Sequence, residues 1–97
     1  MVFLRIKPGV NEELGEIGKR IFNELFKEFS YCIAIKSDNK SENMMEIQED
    51  TEKIKEYLLS KRLFRSIEKE CQKKFSSEPP IEFSSTGKSS DWRVDFR

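Results

Sequence analysis

The sequence contains no histidine, and that absence removes the commonest general base, the Ser/His and Cys/His nucleophile pairs, and every zinc site that needs imidazole. Cysteine is scarce: Cys32 and Cys71 stand far apart with no CxxC spacing, so both read as reduced, buried thiols in apolar surroundings rather than as a disulfide framework. Net charge is also missing, since 18 Lys+Arg balance 18 Asp+Glu, and the field of the whole molecule gives no pull toward nucleic acid or an anionic membrane. No stretch approaches the roughly 20 apolar residues of a membrane span. The apolar run at the N-terminus is interrupted by Arg5 and Lys7, which is not the pattern of a secretion signal. The expectation is a cytoplasmic protein with no membrane partner, no metal and no cofactor.

What remains is enough to fold. Leu, Ile, Val and Phe together make 26 of the 97 residues, above the roughly 20% at which highly charged chains stay disordered. The length suits a single domain, residues 1–97, burying roughly 65% of its unfolded surface.

Val2 to Lys7 alternates apolar and basic residues and stops at Pro8-Gly9, which predicts a strand ending in a turn. Asn11 offers an N-cap to a helix with Glu12 and Glu13 in its first turn. On that helix Leu14, Ile17, Ile21, Phe22, Leu25, Phe26 and Phe29 fill one half of the wheel, and charged residues fill the other. Gly15 and Gly18 fall on the apolar half, where a close approach of helix to sheet is expected. Ser30 to Lys36 reads as a second strand, Ser37 to Asn43 as a polar loop, and Met44 to Gln48 as a third strand hairpinned to the second.

A second helix is expected over Asp50 to Phe75. Its first half points Ile54, Tyr57 and Leu58 one way, whereas Phe64, Ile67, Cys71 and Phe75 centre roughly 80° away. One straight helix cannot bury both sets on one sheet, so either the chain kinks near Ser60-Lys61 or the second half offers a separate stripe to a partner. The charges divide at the same place. Glu46 to Glu56 holds five acidic and two basic residues, and Lys61 to Lys74 holds six basic and two acidic, an order that suits the dipole of one long helix. After Pro79-Pro80, the segments Ile81 to Ser84 and Trp92 to Arg97 each alternate with period two, predicting a terminal hairpin.

Candidate chemistry is thin. Gly87-Lys88-Ser89 matches the tail of a phosphate loop, but Glu82 stands where the first glycine belongs. Lys69, Lys73 and Lys74 flank Cys71, and so do Glu68 and Glu70, which is no setting for an activated thiolate. The glutamates at 12, 13, 16, 24 and 28 lie on a solvated helix face.

Leu14-Gly15-Glu16-Ile17-Gly18-Lys19-Arg20-Ile21 is similar to the Gly-x-x-Gly signature of KH domains, and the order strand, helix, strand, strand, helix over residues 2 to about 75 resembles the type I KH arrangement. That resemblance implies RNA or DNA binding at a loop which interrupts the helix, whereas here the apolar phase runs unbroken through both glycines. The same order looks like the RNA-recognition motif, with Phe3 on the first strand, but Met44-Met45-Glu46-Ile47-Gln48 offers no ring for stacking.

The resulting expectation is an α+β two-layer sandwich, βαββα plus a C-terminal β-hairpin, of the ferredoxin-like plait type, with a type I KH-like fold as the alternative. Functionally it is a non-enzymatic adaptor or regulatory subunit that binds another protein or a second copy of itself through Leu59, Leu63, Phe64, Ile67 and Trp92. The alternative is a nucleic-acid module using Lys61, Arg62, Arg65, Lys69, Lys73 and Lys74.

Overall fold

The computed structural model describes residues 2–29, 32–37 and 40–93, with 32–37, 40–43 and 89 described by their backbone only. The elements run β1 (Val2–Ile6), α1 (Glu12–Glu28), β2 (Cys32–Ser37), β3 (Lys40–Ile47), α2 (Thr51–Ser60), α3 (Arg62–Phe75) and β4 (Ile81–Ser84), followed by one 3-10 turn at Ser89–Asp91. The strands form one sheet in the order β2-β3-β1-β4, and each adjacent pair is antiparallel. The molecule is a small α+β domain.

Alternation on β1 sets the layering. Val2, Leu4 and Ile6 are buried, while Phe3 and Arg5 are half-buried on the other face. In the antiparallel register Leu4 lies opposite both Met45 and Phe83, and Ile6 opposite Ile81, so these side chains share the face on which the helices pack. Helix α1 starts where expected, its Asn11 Oδ1 accepting from the Leu14 N–H at 2.8 Å. Gly18 meets the sheet closely, since a Cβ there would lie 3.0 Å from Ile6 Cγ1. Gly15 does not, having nothing within 4 Å of that position; only one of the two glycines serves the approach expected of both.

Two boundaries differ from the sequence-based expectation, and an alternative it left open is decided. Strand β3 begins at Lys40, inside the expected polar loop, because the backbone of Ser37 and Lys40 is already paired across a register shift. Of the two alternatives left open for the helix expected over Asp50 to Phe75, the structure takes the break near Ser60-Lys61: α2 and α3 are divided at Lys61, which is extended with φ −87° and ψ 133°. The break rotates the second apolar set toward the sheet, so Ile54 and Leu58 of α2 and Phe64, Ile67 and Cys71 of α3 are all buried in one core. Finally, the terminal hairpin is represented among the described residues by one antiparallel bridge, Phe83 to Arg93. Val94 and Phe96 lie outside the described residues.

Candidate functional site

The residues expected to meet a partner do not form one surface. Phe64 is 4% and Ile67 0% exposed, inside the domain's own core. The helix break, which lets one sheet cover both stripes, accounts for their burial. Leu59 and Leu63 are half-buried and pack against that core. Trp92 belongs to the other side of the sheet, where the Arg5 guanidinium sits 4.3 Å from its ring centroid.

Leu59 does line a cleft. It is bounded by α3 residues Arg65, Glu68, Lys69 and Gln72 and by Ser77 to Pro79 of the connection to β4, and its volume is about 590 Å³. The connection is held off the helix by a left-handed cap: Ser76 has φ 49°, with its N–H on the Gln72 carbonyl at 3.1 Å and the Ser77 N–H on the Cys71 carbonyl at 3.4 Å. Sequence reasoning missed Gln72, Ser77 and Pro79 as cleft residues. The Ser-Ser-Glu-Pro-Pro run signals a stiff exit from a helix, but not which side of that helix it follows.

The basic residues separate by role. Lys61 is half-buried with its Nζ 4.9 Å from the Tyr57 ring centroid. Arg62, Arg65, Lys69, Lys73 and Lys74 are exposed. At about 100° per residue, Arg62, Arg65, Lys69 and Lys73 fall within about 80° of one another, opposite the buried side of α3, and Lys74 falls outside that arc. None of the four joins an ion pair among the described residues, whereas Arg5, Lys19, Arg20, Lys53 and Lys55 each have a carboxylate oxygen within 4.0 Å. The helix break also removes the dipole explanation for Arg62 and Arg65, while Lys73 and Lys74 keep it in the last turn of α3. Arg62 and Arg65 now stand at the start of α3, which has no acidic residue in its first turn and no side-chain cap at Lys61, and cations are disfavoured at that end of a helix.

The outer face of the sheet is partly covered by the segment that follows β4. Gly87, at φ 75°, lies against the Phe3 ring, where a Cβ would be 3.5 Å away. Asp91 gathers this segment: its Oδ2 accepts from Ser84 Oγ at 3.2 Å, the Ser85 N–H at 3.2 Å, Ser85 Oγ at 2.9 Å and Thr86 Oγ1 at 3.2 Å. Hydrogen bonds to the charged form, that from Ser85 Oγ foremost, hold the Asp91 carboxyl below its ordinary value. Arg5 Nη2 lies 2.9 Å from Glu82 Oε2, a carboxylate only 9% exposed, and donates from Nε to the same oxygen. Phe3 is thus not an open stacking platform of the RNA-recognition type.

The KH-like signature also has a different setting. Both glycines lie within α1, from Glu12 to Glu28, and Gly18 is buried against Ile6, so no loop exposes backbone amides between them. Burial, reinforced by Glu70 and opposed by Arg20, pushes the Cys71 thiol above its ordinary pKa, and the free thiol is buried. Among the described residues, no three His, Cys, Asp or Glu side chains cluster as metal ligands, and no helix is long and apolar enough to cross a membrane. No protein-family model, curated protein or solved structure matches this chain.

Proposed function

We propose that this protein is a small cytoplasmic, non-enzymatic adaptor or regulatory subunit with a ferredoxin-like plait, and that it binds another protein along α3. The plait reading is supported by the strand order β2-β3-β1-β4 and by two helical connections, α1 between β1 and β2 and α2-α3 between β3 and β4. The observation that carries the functional reading is the cleft beside α3, where half-buried Leu59 and Pro79 offer apolar surface between polar walls. An apolar floor with a few polar groups around it is the usual form of a peptide-binding groove.

The test is affinity capture of the tagged protein from its native cells, with and without nuclease, comparing the wild type with Gln72→Trp. Gln72 is exposed and lines the cleft, so the indole fills the groove without entering the core. Loss of a nuclease-resistant protein partner at unchanged melting temperature supports the adaptor. Capture unaffected by Gln72→Trp sinks it. The second reading, nucleic-acid binding, draws on the unpaired cations of α3 and is favoured if the captured material is nucleic acid.

A further inference from the structure

Four cations share one exposed face of α3, and of the four only Lys73, in the last turn, is favoured by the helix dipole. Arg65, Lys69 and Lys73 repeat at i, i+4 and i+8 on α3, and like charges at i, i+4 destabilise a helix by about 0.2–0.5 kcal/mol per pair. Arg62 and Arg65 add an unfavourable contact with the helix dipole. Elsewhere Arg5, Lys19, Arg20, Lys53 and Lys55 each have a carboxylate oxygen within 4.0 Å, Arg20 that of Glu70 of α3 itself at 3.4 Å. The stripe is therefore a local positive surface on a molecule with zero net charge.

We infer that the partner presents a short acidic segment, rich in Glu or Asp with one apolar side chain, laid along α3 so that its carboxylates meet Arg62, Arg65, Lys69 and Lys73 and its apolar side chain enters the cleft over Leu59. This rests on the adaptor reading above and adds the chemistry of the partner. The axial steps between the four cations are about 4.5, 6 and 6 Å at a rise of 1.5 Å per residue, which matches carboxylates three and four residues apart on a helix alongside. Arg65 and Lys69 belong both to the stripe and to the cleft wall, which also carries Glu68 and Glu78, so the segment's carboxylates pair along the stripe while its apolar side chain, not a carboxylate, enters the cleft. A long polyanion fits less well. The stripe itself holds no ring on which a base could stack, and a short peptide needs only its four cations, whereas a long phosphate backbone extends beyond them onto a molecule of zero net charge.

The experiment is a titration of the isotope-labelled protein, followed by amide chemical shifts, with a synthetic acidic peptide of about 12 residues carrying Glu at i, i+3 and i+4 spacing and one Leu. A single-stranded RNA and a duplex DNA of similar length are titrated in parallel. The peptide is expected to shift amides from Arg62 to Lys73 and those of Leu59, Ser77 and Glu78. Its affinity should fall roughly tenfold or more between about 50 mM and about 300 mM salt, and by a similar factor in Arg65→Glu/Lys69→Glu. Failure of the peptide to shift those amides overturns the inference, and so does tighter binding by either oligonucleotide. Capture from cells separates this inference from the one beneath it. A partner lost with Gln72→Trp but kept by Arg65→Glu/Lys69→Glu removes the acidic segment and leaves the adaptor standing; a partner kept by both variants removes the adaptor as well.

Discussion

Alanine at Gly15 should stabilise the protein and alanine at Gly18 should not, although the two sit three residues apart in the same helix. Each replacement gains about 1 kcal/mol from helix propensity. At Gly15 nothing lies within 4 Å of the new Cβ, so the gain is kept, and for a chain of 97 residues it should raise the melting temperature by about 4–8 °C. At Gly18 the Cβ arrives 3.0 Å from Ile6 Cγ1, 3.2 Å from Cδ1 and 3.4 Å from Cγ2. Ile6 is only 6% exposed and its backbone is held opposite Ile81, so its side chain must give by a few tenths of an ångström within a packed core. Overpacking of this kind costs about 1–3 kcal/mol, leaving Gly18→Ala neutral to about 2 kcal/mol destabilised. Thermal and urea unfolding of the two variants decide it. A double-mutant cycle with Ile6→Ala should show the clash as a coupling above about 0.5 kcal/mol. If Gly18→Ala stabilises as much as Gly15→Ala, the close approach of α1 to β1 is wrong. If Gly15→Ala destabilises, α1 is not continuous through its glycines, and the KH-like alternative regains its ground.

Other expectations follow from the same geometry. Ser76→Gly removes a side chain from a left-handed cap at φ 49° and should stabilise by a few tenths to about 1 kcal/mol; an unchanged or lower urea midpoint would count against that cap. Asp91 has a folded pKa below its ordinary value near 3.8, so its contribution is fully present above that value and is lost as pH falls through the lower folded value. Trp92 fluorescence should therefore change with acid in the wild type at a pH below the ordinary aspartate range, and Asp91→Asn should abolish that titration; a titration unaltered in Asp91→Asn would refute the assignment. Arg5→Ala leaves the Glu82 carboxylate, only 9% exposed, without its cation and should cost about 2–4 kcal/mol. Replacing both by Met should recover most of that loss in denaturant unfolding, and a double variant as unstable as Arg5→Ala would show that the pair is not the cause.

Local patterns in the sequence determined the parts of the fold that depend on local physics. The alternation of Val2, Leu4 and Ile6, the apolar half-wheel of α1, the Asn11 cap and the strand at Ile81–Ser84 are each written in a few neighbouring residues, because side-chain period and capping chemistry act over one or two turns. The broad class, α+β with an antiparallel sheet, follows from their order. The break at Lys61 carries no Gly or Pro mark; the two displaced apolar sets allowed either a kink near Ser60-Lys61 or a separate stripe for a partner, and the burial of Ile54, Leu58, Phe64 and Ile67 in one core decides for the break. The polar start of β3 was hidden, since Lys40–Asn43 joins the sheet through backbone pairing with β2 rather than through apolar side chains.

The candidate site divides in the same way. Composition identified the cations of the second helical region, and it set Leu59 and Leu63 beside Phe64 and Ile67 as one apolar stripe. Tertiary structure put Phe64 and Ile67 in the core, left Leu59 in a cleft with Pro79, and carried Trp92 to the far face of the sheet. It also turned a charge order that suits one long helix into unpaired cations at the start of a second one. Residue type fixes what a side chain can do, but its partners and burial depend on chain segments distant in sequence. Only packing brings those segments together.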